Sequence, residues 1–164
     1  MGMQLPGELV SVLADLGYTW PAADEEKLLA MGHAWTAFGA ELAPPVDEAH
    51  AQARTVSSLN ESAAVAAFQQ AWDRRDSPAA NLDDAATAAT MVGAGLMVCA
   101  GAVLALKVNV IVQLVALCVE IAQALATAAP TLGASLAEIP LFKTITGTLI
   151  DELLDVAIGA ILGG

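Results

Sequence analysis

Sixteen consecutive residues, Met91 to Leu106, carry no charge and no strongly hydrogen-bonding side chain, and they open a stretch that runs on to Ala129. Such a run must be covered by protein or by lipid. A membrane-spanning helix needs about 20 mainly apolar residues, and this run is interrupted by Lys107, Asn109 and Gln113. Beyond that point the polar residues are not scattered. At about 100° per residue, Asn109, Gln113, Glu120, Gln123 and Thr127 fall on one narrow stripe. The other faces carry Val110, Ile111, Leu114, Val115, Leu117, Val119 and Ile121. The pattern predicts the central helix of a bundle, buried on most of its circumference. Lipid would leave Glu120 and Lys107 expensive to place.

The 164 residues make one domain's worth of chain, long enough for a sizeable core. The chain is 57% hydrophobic, alanine-rich and only 4% aromatic, and its mean hydropathy is +0.63. This composition favours helices packed closely through small side chains. So apolar a chain buries a large area within itself or shares a surface with a partner. Its net charge of −12 argues against nucleic acid, which needs a basic footprint, and against anionic headgroups. Residues 1–84 hold thirteen acids and four bases, against five and two in residues 85–164. The front half is therefore the solvated half.

Along the chain, Leu5-Pro6-Gly7 opens a short helix with Leu9, Val12, Leu13 and Leu16 on one face, and Gly17 stops it. Acids Asp24, Glu25 and Glu26 suit the first turn of a second helix. Leu28, Met31, Trp35, Phe38 and Leu42 on that helix form a two-position heptad seam, and Pro44-Pro45 is expected to end it. A third helix is expected from about Val46 to Arg75, so that 5–43 and 46–75 form an antiparallel front hairpin. Ser77-Pro78 caps a long helical region over 78–129, in which Gly93, Gly95 and Gly101 mark either a break or close contact with another helix. Pro130 closes it. A final helix, 141–162, has two apolar faces: Ile145, Leu149, Leu153 and Val156 on one, Ile150, Leu154, Ile158 and Ile161 on the other. The fold class expected is all-α, an elongated helical bundle in a single domain over 1–164. Gly163-Gly164 reads as an arbitrary end, so the chain is expected to be the N-terminal part of a longer protein.

Chemistry is harder to find. His33 and His50 lack acid or thiol partners at metal-ligand spacing, and His33, just off the Leu28–Leu42 seam, is expected in a surface or boundary role. No nucleophile elbow, Walker loop or dinucleotide fingerprint occurs. Acid pairs such as Asp83-Asp84 read as helix-start residues. Cys99 and Cys118, if on one helix, are roughly 28 Å apart, beyond disulfide reach, and read as small hydrophobes. No catalytic residue, metal site or cofactor is expected, and the chain is not read as an enzyme. No cleavable signal peptide is visible.

Several residues carry a resemblance: Leu5-Pro6, Gly17, the Trp20-Pro21 pair with the acids after it, Trp35, Phe68 with Trp72, Lys107 in its apolar run, and the segment Thr131 to Leu136. In this order and spacing they resemble the WXG-like N-terminal domain of actinobacterial type VII (ESX)-secreted toxins. That family includes a mycobacterial outer-membrane channel protein with a necrotizing toxin. The resemblance implies an all-α domain built on a helical hairpin and secretion, or placement at the cell envelope, by a signal-peptide-independent route after synthesis in the cytoplasm. It implies pairing with a small WXG-like helical protein or with itself, contact with the type VII machinery, and delivery of a C-terminal toxin or effector. On this reading Pro6, Gly17, Trp20, Pro21, Trp35, Phe68, Trp72 and Lys107 are the family's structural positions. The pairing surfaces are the seam Leu28, Met31, Trp35, Phe38 and Leu42, and the face Ile150, Leu154 and Ile158. Two departures stand out. No tryptophan is followed two places on by glycine, and Tyr18 meets Ala22 where the export signal has an acid. The same relatives imply an alternative, a membrane-inserting or channel-forming domain using Met91–Leu106 and Leu141–Leu162.

Overall fold

Helix α1 (Gly7–Asp15) starts behind Pro6, whose fixed φ suits the helix entry. It stops where Gly17 turns left-handed at φ +88°, letting the Tyr18 N–H return to the Leu13 carbonyl. The structure is a computed structural model that describes residues 2–163. After α1 come α2 (Glu25–Leu59), α3 (Ala63–Trp72), α4 (Pro78–Ala126), a 3-10 segment (Ala134–Glu138) and α5 (Ile139–Leu162). The all-α expectation holds, with no strand among the described residues.

Two expected boundaries move. Pro44 and Pro45 lie inside α2, which replaces the predicted stop and the separate Val46–Arg75 helix with one helix to Leu59 and a short α3. Each proline deletes an i→i−4 hydrogen bond and frees a carbonyl, those of Ala40 and Glu41. Both prolines and both of those residues are exposed, so water can serve the freed groups. Beyond the prolines, Val46 and Ala53 stay buried and keep the helix docked. The actual break is at 60–62. There Asn60 Nδ2 donates to the Val56 carbonyl and Ser62 Oγ accepts the Val65 N–H. Helix α4 begins as its sequence implies, with Ser77 Oγ accepting the Ala80 N–H. It then runs unbroken through Gly93, Gly95 and Gly101.

The chain divides into two compact units. The first comprises residues up to Lys27 and from Val98 onward. Its core is Leu9 and Leu13 of α1, Val110 and Leu114 of α4, and Ile150 of α5. Tyr18 ties the end of α1 to α5, donating its hydroxyl hydrogen bond toward the Gly147 carbonyl and Asp151 Oδ1 at 2.9 and 2.7 Å. Ser135 Oγ donates to the Ala124 carbonyl and fastens the 3-10 segment to the end of α4.

The second unit is Leu28–Met97. Here α2 and α4 meet backbone to backbone. A Cβ on Gly32 would sit 2.9 Å from the Gly93 carbonyl oxygen, and one on Gly93 would sit 2.8 Å from that of Gly32. Two turns away, Gly39 stands equally close to the Ala86 carbonyl. Of the two meanings open to Gly93, contact is the one realised.

The central helix is less covered than its pattern predicts. Only 33% of its most apolar window is buried. Val103, Lys107, Val110, Leu114 and Leu117 face inward, while Val108, Val112, Val115 and Val119 are exposed. The inward residues form one line along the helix, and periodicity alone does not report how much of a helix its neighbours cover.

Candidate functional site: an open helix face and a buried lysine

The Gly32–Gly93 approach decides where the large residues of α2 go. The inward positions Gly32, Thr36 and Gly39 are small, so Met31, Trp35 and Phe38 are turned off the contact, 50%, 41% and 48% exposed. Leu28 and Leu42 are half-buried at the two ends of the seam. The Trp35 and Phe38 rings meet edge to face, 6.1 Å apart at 83°, and flank a shallow apolar recess beside Ala34. Two aromatics and a methionine on one helix face, left wet, form a surface that gains by covering.

The second candidate face does not survive intact. Ile150 is sealed in the core, and Leu154 packs half-buried against it. Ile158 alone of the three is exposed. Helix α5 rotates Thr146, Ile150 and Ala157 inward, because α1 and α4 contact it along that line.

Lys107 is the unusual residue of the first unit. It is 1% exposed, and its Nζ donates to the Ala23 carbonyl at 2.6 Å and to Glu25 Oε2 at 2.7 Å. It also lies 5.9 Å from the centre of the Trp20 ring. The other Glu25 oxygen accepts the Met3 N–H, and Trp20 Nε1 donates to the Met3 carbonyl. The Lys107 ammonium, and after it the Met3 N–H, hold the Glu25 carboxyl down at about 2. Trp20, Pro21 and Lys107 thus come together at one small recess, while Pro6 and Gly17 bracket α1. In the sequence, Glu25 is explained by its place in a first helical turn. The signal pointing to it was the lone lysine in an apolar helix, which requires a buried counter-charge.

Phe68 and Trp72 pack against each other in the second unit, ring centres 5.7 Å apart. Trp72 Nε1 donates to His50 Nδ1 at 3.0 Å, and His50 Nε2 lies 3.0 Å from Asp83 Oδ2. His50 therefore does have an acid partner, brought by the fold from 33 residues away. His33 is exposed. Among the described residues no three His, Cys, Asp or Glu side chains converge on a metal-sized site.

The family model described as WXG100 like domain matches residues 4–149. No curated protein and no solved structure shows significant similarity to the chain. The match covers α1 through α4 and ends just short of the middle of α5, including the open seam and the lysine pair. The chain belongs to the WXG100-like domain family of type VII secretion-associated helical proteins.

Proposed function

We propose that this is a non-catalytic targeting and assembly module. It docks a small WXG-like helical protein along the Leu28–Leu42 seam and brings a C-terminal toxin or effector to a type VII-like export system. The observation that carries the reading is the exposed Met31–Trp35–Phe38 face. Residues 28–40 bear no charge apart from any carried by His33, so an apolar helix can lie there without stranding an ion. Members of the family typically pair with helical partners. A second copy of the chain offers the same apolar face, yet two chains of charge −12 repel each other, which favours a different partner. The same charge disfavours nucleic acid.

The test is co-expression with a small WXG-like helical protein, followed by light scattering and a secretion assay. A stoichiometric complex and export into the medium are expected. Trp35→Asp with Phe38→Asp should abolish both while leaving far-UV circular dichroism unchanged. A complex and export that tolerate both substitutions would remove the seam from the reading.

One observation favours a second reading, a membrane-inserting domain. Helix α4 is long and apolar enough to cross a bilayer and leaves its valine face uncovered. Insertion would have to draw Lys107 away from Glu25. Dye leakage from neutral liposomes, enhanced by Lys107→Met, would support it, and intact liposomes at micromolar protein would end it.

A further inference from the structure

Helix α3 has no buried residue, and much of its attachment passes through Trp72. The Trp72 indole N–H meets His50 Nδ1 at 3.0 Å, with the rings edge to face at 5.6 Å and 89°. An indole nitrogen can only donate. His50 Nδ1 must therefore present its lone pair, and the imidazole proton sits on Nε2, directed at Asp83 Oδ2. Three side chains from α2, α3 and α4 are joined in one donor-to-acceptor line with a defined direction.

A second proton on the imidazole can go only to Nδ1. There it faces the Trp72 N–H, donor against donor, and that bond must break. The contact with Asp83 remains and becomes an ion pair. Acid thus separates the two halves of the arrangement, keeping α2 on α4 and ejecting Trp72. The Trp72 ring also walls an apolar recess formed by Leu42, Val46 and Ala49 of α2 with Ala79 and Leu82 of α4.

We infer that α3 is an acid-released cover: protonation of His50 frees Trp72 and opens an apolar groove between the second half of α2 and the start of α4. Charged groups stand near the imidazole on each element packed on it: Arg54 of α2 and Asp73 at the end of α3 line the same recess, and Asp83 of α4 contacts Nε2. His50 is 29% exposed at its side chain, so the proton has access. Histidine is the side chain suited to change charge between pH 8 and 5. The inference does not depend on what docks along the Met31–Phe38 face.

The test follows the three indole N–H signals of the whole chain by 15N NMR from pH 8 to 5, with Trp72 assigned by its loss in Trp72→Phe. The Trp72 signal should move and exchange faster with solvent at acid pH, and binding of the dye ANS should rise in step. His50→Gln offers a side-chain oxygen to Trp72 at every pH and should abolish both changes. Should His50→Gln misfold, Trp72→Phe serves instead, with ANS binding high and flat across the range. A Trp72 signal that stays fixed in the wild type, or a pH step that persists in His50→Gln or Trp72→Phe, would overturn the inference.

Discussion

Lys107 and Glu25 behave as one unit, because each is buried and each holds the other's charge. Removing one member strands the other. Lys107→Met should cost roughly 3–5 kcal/mol in denaturant unfolding, and adding Glu25→Gln should recover most of it. Equal loss in the single and double variants would show that packing, not charge, is what matters. The pH dependence has a definite sign. The folded-state Glu25 carboxyl lies near 2, below its ordinary 4.5, so its stabilisation is complete above about pH 4.5 and drains away as pH falls toward 2. That loss should be on the order of 3 kcal/mol, and Glu25→Gln should flatten this part of the acid limb. The need for a partner to Lys107 was legible in the sequence. Its identity was not, since Glu25 lies 82 residues away and its place in a first helical turn already explained it.

Helix starts and stops were legible wherever local chemistry decides them: Gly17 after α1, Ser77-Pro78 before α4. The course of α2 was not, because Pro44-Pro45 is a local stop overridden by the burial of Val46 and Ala53, two turns apart, beyond it. The glycines of α4 show the same limit. Gly93, Gly95 and Gly101 look alike in sequence, yet only Gly93 touches another helix, while nothing lies within 4 Å of a Cβ at the other two. Gly93→Ala should therefore destabilise by about 1–3 kcal/mol through overpacking. Gly95→Ala and Gly101→Ala should each stabilise by up to about 1 kcal/mol. Thermal melts of the three variants test the contrast, and three equal shifts would refute the backbone contact. The seam on α2 was found by its spacing, but its outward direction depended on the small residues beside it.

For the molecule as a whole, composition correctly signalled helices and too much oil for too few polar residues. It did not say which apolar side chains stay wet, because that depends on how many helices surround each one. Exposed residues such as Met31, Phe38, Val112 and Val119 sit on a chain of charge −12, so repulsion opposes the association that those faces promote. Raising salt from about 0.05 to 0.5 M screens the first and strengthens the second. Sedimentation should show association growing with salt, and less of it in the Trp35→Asp, Phe38→Asp variant. The continuity of α4 has a last use. Cys99 and Cys118 are both free and both ride that unbroken helix, with Gly101 between them, so they serve as a built-in spectroscopic ruler of about 28 Å. Spin labels on the two thiols should report one narrow separation in solution, and the same separation on binding any partner that leaves the helix straight. A second, shorter population would report bending between the two labels, with Gly101 the first place to look.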